Sequence, residues 1–242
     1  MASEAGHARN LQYFQQLISF VTGYGATYDP SVLAIQLTTL QTLYAQANTA
    51  LHNVTDKLME WKVAVNAREN EFAGIRQLVS RVVNAFAVSG AAPNAIEDAK
   101  SFKRKIDGKR AKAKPADDPN TDGDESAGNS VSQRSYTQLV EHLEGLIELL
   151  KDDGNYAPNE AELSIAGLEA KVDALKNANN AVINTFTPIS NARIARNAKF
   201  YNDPDSLVET ARKVKLYVRS LYGPTSPQYK QLVPLKFTSY KK

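Results

Sequence analysis

The fold is decided by residues 30–90, which read PSVLAIQLTTLQTLYAQANTALHNVTDKLMEWKVAVNARENEFAGIRQLVSRVVNAFAVSG. Apolar residues recur there in alternating steps of four and three: Leu33, Leu37, Leu40, Tyr44, Ala47, Leu51, Val54, Leu58, Trp61, Val65, Phe72, Ile75, Val79, Val82 and Phe86. A 3.5-residue repeat is typical of a helix that packs along a partner with coiled-coil geometry. The pattern predicts a single helix from Pro30 to Gly90, capped by Asp29 and about 90 Å long.

The amino-acid composition restricts the class of protein and the kinds of site that the chain can contain. The chain has 242 residues, of which 43% are hydrophobic and 23% charged, and its net charge is only +3. There is no cysteine, which excludes disulfides and cysteine-ligated metals. The first residues show no signal-peptide pattern, and no apolar run is long enough to cross a bilayer. We therefore expect a cytoplasmic protein with no membrane partner.

The remaining apolar periodicity also predicts helices, so the expected fold class is all-α. Residues 111–133 are the exception, because they contain turn-forming and charged residues and no large apolar side chain before Val131. They predict a flexible linker. The expected helices outside the long one cover 9–22, 94–106 with Asn94 as N-cap, 136–150, 158–201, and 204–222 with Asp203 as N-cap.

The two halves of the chain share a pattern. A short helix, a glycine-containing turn, Tyr-x-Pro and a long helix occur twice, and a shift of 128 residues superposes Tyr28 on Tyr156 and Pro30 on Pro158. Any two amphipathic helices share periodicity, so the turn and the Tyr-x-Pro start are what favour an internal duplication. We call the line of inward-facing apolar residues along each long helix its seam. In the second copy the seam includes Phe186, and Pro188 is expected to kink the helix.

Arginines interrupt the two seams at matching positions. Arg68 breaks the first, Arg196 is its counterpart 128 residues later, and Arg193 precedes it by nearly one turn. These arginines could bind a buried anion or fix the register of the helices by pairing with an acid. The alternative is that the seam loosens there and the side chains extend to solvent.

A basic segment follows the first half. Residues 100–114 contain Lys100, Lys103, Arg104, Lys105, Lys109, Arg110, Lys112 and Lys114. Such a cluster could contact the phosphates of a nucleic acid. The acidic residues that come directly after it, from Asp117 to Glu125, could instead neutralise it locally.

No pattern of catalytic, cofactor-binding or metal-ligating residues emerges. None of the three histidines, His7, His52 and His142, has a second histidine one turn away, and the chain contains no phosphate-binding glycine motif. We expect no catalytic residue, no cofactor and no metal, and hence no enzyme.

The C-terminal segment carries one resemblance. Residues 211–231, ARKVKLYVRSLYGPTSPQYKQ, resemble uncharacterised bacterial all-helical proteins that end in a helix followed by Gly-x-x-Ser-Pro-x-Tyr-Lys-Gln. The resemblance is confined to the last fifth of the chain. It implies a bacterial origin and no particular activity.

Together these patterns predict an elongated helical bundle with long coiled-coil-like helices and an internal duplication. Its parts would be a pseudo-repeat at 9–110, a linker at 111–133 and a pseudo-repeat at 134–236. The expected function is a non-enzymatic structural or protein-interaction module, whose partner is another protein or a second copy of itself. Binding of nucleic acid through residues 100–114 is the alternative.

Overall fold

The computed structural model describes residues 4–109 and 135–238. In these ranges the chain forms eight α-helices and no strand, so the predicted all-α class is confirmed; the predicted linker at 111–133 lies outside them. The helices are α1 (Glu4–Gly23), α2 (Leu37–Phe72), α3 (Ile75–Ala87), α4 (Pro93–Asp107), α5 (Tyr136–Asp153), α6 (Ile165–Asn197), α7 (Leu207–Tyr222) and α8 (Pro227–Leu232).

The single helix predicted over residues 30–90 is wrong, because the structure divides it into α2 and α3. Gly74 lies between the two helices with a φ of 80°, a conformation that glycine adopts without steric cost. The end of α2 is stabilised by Lys171, whose Nζ donates to the Glu71 carbonyl oxygen at 2.7 Å. With a rise of 1.5 Å per residue, α2 is about 54 Å long instead of about 90 Å.

A buried tyrosine, and not an Asp29 cap, determines where α2 begins. The side chain of Tyr28 is 8% exposed, and its hydroxyl donates to the Ile35 carbonyl oxygen at 2.7 Å. The chain between them includes a short 3-10 turn at Leu33–Ile35. The predicted N-cap at Asp29 is therefore wrong: the backbone folds around the Tyr28 hydroxyl before it enters the helix.

The second long helix starts in the same manner. The Tyr156 hydroxyl donates to the Leu163 carbonyl oxygen at 2.8 Å, and α6 begins at Ile165 instead of at Pro158. Burial raises the pKa of Tyr156 to about 12, so the hydroxyl remains a donor in alkaline solution at which an exposed tyrosine ionises. α6 contains Pro188 and continues at its end into a π-helical turn, Ala198–Asn202.

The bounds of the shorter helices agree better with the prediction than those of the long helices do, although two of their predicted N-caps are wrong. α1 ends at Gly23, one residue after the predicted end, but it begins at Glu4 and not at the predicted Arg9. α5 begins with a capping box formed by Ser135 and Gln138. The N-cap of α4 is Ala92 and not Asn94, and that of α7 is Ser206 and not Asp203. Local sequence thus places these helices to within a few residues.

The described chain separates into two compact units. The first comprises Met1–Lys62 and Thr185–Lys242, and its core joins α1 and the start of α2 to α7 and α8. Phe14, Leu17, Leu40, Phe200 and Val214 are fully buried in this core. The first unit therefore combines the beginning of one predicted repeat with the end of the other.

The second unit comprises Val63–Asn184 and has its own core. α4 packs against both α3 and α5, and the start of α6 covers the same cluster. At Gly145 in α5, a Cβ atom would lie 2.6 Å from the Phe102 ring of α4. Glycine at this position allows the two helices to pack with the aromatic ring between them.

Candidate interaction surface

The part of α6 that belongs to the first unit has apolar residues on two faces. Ile189 and Ala192 are buried, with 1% and 4% of their surface exposed. Phe186 and Ile194 lie two turns apart on another face and are 53% and 66% exposed. We call the segment of this face from Phe186 to Ile194 the α6 apolar face. The predicted inward position of Phe186 is wrong, because Ile189 and Ala192 occupy the buried side of this helix.

Other large apolar side chains are exposed outside the α6 apolar face. They are Val32, Leu33, Met59, Val63, Val88, Ile183, Leu216, Leu221 and Val233. Isolated exposed apolar residues are normal on a protein surface. Phe186 and Ile194 are better evidence for a contact surface, because they lie on the same helix and protein contact surfaces are enriched in aromatic side chains.

Arg68 stacks on an aromatic ring of the second unit. Its guanidinium carbon lies 4.1 Å from the centroid of the Tyr136 ring, which also meets Phe72 edge to face at 4.6 Å. This contact gives the interruption of the first seam a structural role, because a guanidinium over an aromatic face is attracted to the negative side of the ring. No carboxylate lies within ion-pair distance of Arg68 in the described ranges.

The two later arginines differ from each other. Arg193 is exposed, whereas Arg196 is only 5% exposed. The Arg196 guanidinium donates from Nε and Nη2 to the side-chain oxygen of the adjacent Asn197, at 3.2 and 3.0 Å. The three arginines therefore do not share one environment: one is stacked, one exposed and one buried.

The described part of the basic segment is partly neutralised by its own helix. Lys100 pairs with Glu97 at 2.8 Å, and Lys103 pairs with Asp107 at 2.7 Å. Lys109 lies 3.7 Å from the same Asp107 carboxylate, whereas Lys105 contacts the Phe102 ring at 5.4 Å. Arg104 is in the last turn of α4. Arg110, Lys112 and Lys114 lie outside the described residues.

The histidines lie in three different environments. His7 Nδ1 is 2.7 Å from the Tyr201 hydroxyl, and His52 Nδ1 is 2.9 Å from the Asn48 carbonyl oxygen. Burial, with a smaller contribution from the Lys105 charge, lowers the pKa of His142. In the ranges that the structure covers, no three His, Asp or Glu side chains come close enough together to hold a metal ion.

An open cavity of about 550 Å³ lies in the second unit beside the start of α3. Its cationic side chains already have carboxylate partners: Arg81 pairs with Glu162 at 2.6 Å and Lys171 with Glu71 at 2.7 Å. The pair with Arg81 also lowers the pKa of the Glu162 carboxyl. A ligand that entered the cavity would have to compete with these ion pairs.

The chain matches no protein-family model, no curated protein and no solved structure. Among the residues described, no helix has both the length and the apolarity required to span a membrane. The function must therefore be argued from the chain's own surfaces.

Sequence reasoning missed Asn10, which is fully buried near the start of α1. An asparagine in an amphipathic helix looks like a solvent-facing residue, and no local signal distinguishes this one. Its partner, Thr238, is 228 residues away. Only the tertiary structure could bring the two together.

Proposed function

We propose that the protein is a non-enzymatic helical module that binds other proteins, and that one of its partners is a second copy of itself. The observation that carries this proposal is the α6 apolar face, where Phe186 and Ile194 leave more than half of their surface in water. Covering such side chains contributes favourably at about 25 cal/mol per Å² of apolar area. A partner helix with complementary apolar residues would supply that cover.

An internal duplication is part of the same proposal. The Tyr28–Ile35 and Tyr156–Leu163 hydrogen bonds each span seven residues, and their members are separated by 128 residues, the shift inferred from the sequence. A second long helix derived from the first would explain why both long helices start after the same kind of turn. Coiled-coil geometry along their seams is likewise proposed.

Replacing Phe186 and Ile194 together by glutamate should weaken self-association at least tenfold, because the charges would have to be desolvated on contact. Sedimentation velocity with light scattering over a concentration series measures this directly. The control is Val88→Glu, since Val88 is 85% exposed at the end of α3 and lies outside the α6 apolar face. The control should assemble as the unmodified chain does. A chain that stays monomeric at high concentration, or a double variant that assembles normally, would contradict the proposal.

Tyr28→Phe and Tyr156→Phe should each lower the free energy of unfolding by about 1–2 kcal/mol, since each leaves a buried carbonyl without its donor. Similar losses at the two positions are expected if the turns are copies of one unit. Tyr44→Phe is the control: its hydroxyl donates to Gln15 at 3.2 Å in an exposed setting, and its loss should cost less than about 0.5 kcal/mol. Urea denaturation measures all three. A loss confined to one of the two turns would argue against equivalent roles.

A further inference from the structure

The last described residues of the chain pack on the first unit. Residues 233–238 follow α8 without regular secondary structure, and Leu235 is 3% exposed. α8 itself packs against α1 and α7, with Leu232 fully buried. We call residues 224–238 the C-terminal arm, and the surface of α1 and α7 beneath it the arm groove.

The arm groove recognises the main chain of the arm. Asn10 Nδ2 donates to the Thr238 carbonyl oxygen at 2.9 Å, and the Thr238 amide donates back to Asn10 Oδ1 at 2.9 Å. This reciprocal pair reproduces the hydrogen bonding of neighbouring β-strands with one buried side chain. Main-chain hydrogen bonds of this kind are how extended peptides are held in recognition sites. They involve the backbone of residue 238 and not its side chain.

A second contact adds side-chain selectivity. Lys215 Nζ donates to the Leu235 carbonyl oxygen at 2.5 Å and lies 5.5 Å from the centroid of the Phe237 ring. The same ring meets Tyr13 edge to face, with centroids 6.2 Å apart. The Lys215 ammonium is thus directed at the Leu235 carbonyl oxygen and at the Phe237 ring, so the arm groove accommodates the backbone of Leu235 and the side chain of Phe237.

The arm is joined to the rest of the unit by a short connection. Gly223 ends α7 with a φ of 86°, and Pro224 and Thr225 are exposed. Beyond this connection the arm packs against both α7 and the more distant α1. In α1's following turn, for example, the Tyr24 hydroxyl donates to the Gln228 carbonyl oxygen at 2.9 Å. A different conformation of residues 223–225 would release the whole arm while leaving α7 in place.

We propose that the arm is exchangeable, so that the arm of a second copy of this chain occupies the arm groove in place of the chain's own. The inference rests on the proposed self-association and names a second surface for it. Within one chain the tethered arm has a high effective concentration and competes with any arm from outside. Exchange is therefore expected only when that competition is removed or the protein is concentrated.

Two complementary variants of the full chain remove the competition. The donor, Asn10→Ala with Lys215→Ala, keeps an intact arm and loses the groove contacts. The acceptor, Leu235→Asp, keeps the groove and loses its own arm. Both carry Phe186→Glu and Ile194→Glu, so that association through the α6 apolar face is removed. Mixing them should give a complex of twice the 26.6 kDa chain mass, at least tenfold more abundant than in either variant alone.

Sedimentation velocity of the mixture measures the amount of the two-chain complex. Circular dichroism of each variant checks that it is folded. A mixture that sediments as the sum of its two parts would overturn arm exchange and leave the α6 proposal untouched. If either variant is unfolded, cross-linking replaces the test, since the chain has no native cysteine. One copy carries Tyr13→Cys and the other Phe237→Cys, and a short bis-maleimide should join them.

The matched control for cross-linking replaces Tyr13→Cys by Leu216→Cys, because Leu216 is 64% exposed. Exchange predicts at least a tenfold larger yield of the 13–237 product than of the 216–237 product at the same protein concentration. Equal yields would report random collision and would overturn the proposal.

Discussion

Gly167→Ala should destabilise the second unit by about 2 kcal/mol or more, although alanine is the better helix former. Gly167 lies in the first turn of α6, where a Cβ atom would stand 2.1 Å from the Ala161 carbonyl oxygen and 3.1 Å from its carbon. Both atoms belong to the backbone of the preceding turn, which cannot rotate away as a flexible side chain could. The turn would have to move, at the expense of the Tyr156–Leu163 hydrogen bond.

Urea denaturation followed by circular dichroism measures the effect, and Gly23→Ala provides the matched control. Gly23 ends α1, and a Cβ there would meet nothing within 4 Å. Helix propensity alone then applies, so the control should gain up to about 1 kcal/mol. A Gly167→Ala protein as stable as the unmodified chain would contradict the prediction, because it would mean that the turn before α6 can move without lowering the free energy of unfolding.

Phe200→Ala should lower the free energy of unfolding by about 3–5 kcal/mol, since it would leave a large cavity in the first unit. Phe200 is fully buried in the π-helical turn after α6, and its ring meets His7 edge to face with centroids 5.7 Å apart. Truncation removes this contact together with the packing of the ring in the core shared by α1 and α7.

Phe186→Ala is the internal control for this prediction, and it should change stability by less than about 0.5 kcal/mol. Both phenylalanines fall on apolar positions of the same long segment, yet Phe186 is 53% exposed. Thermal or urea unfolding of the two variants under identical conditions measures how much Phe200 and Phe186 each contribute to stability. Comparable losses would mean that Phe186 is covered in solution, as self-association through the α6 apolar face would also bring about.

The class of the fold and the position of most helices were predictable from local sequence. Period-3.6 apolar patterns identify helices directly, and α1 ends in the glycine-containing turn at residues 23–25, where Gly25 has a φ of 60°. The basic residues of α4 were also recognisable as a cluster. Their neutralisation by Glu97 and Asp107 follows from one-turn spacings that the sequence displays.

The starts of the two long helices could not be predicted. Proline is as common in the first turn of a helix as in a turn, so local sequence does not distinguish a helix start at Pro30 or Pro158 from a turn there. In the structure a turn forms at Pro30, because the ring of Tyr28 is buried in the core of the first unit and its hydroxyl donates to the Ile35 carbonyl oxygen. The break at Gly74 was hidden for a related reason: the apolar repeat continues across it, and periodicity carries no information about φ.

The sequence by itself determined that this protein is built from amphipathic helices, that two of them are long, and that each follows a Tyr-x-Pro turn. The tertiary structure alone decided which apolar faces are buried and where the C-terminal arm binds. Apolar periodicity specifies a direction around a helix and not the depth of burial, which depends on what packs against that face. Asn10 and Thr238, 228 residues apart, meet because the core of the first unit brings α1 and the C-terminal arm together.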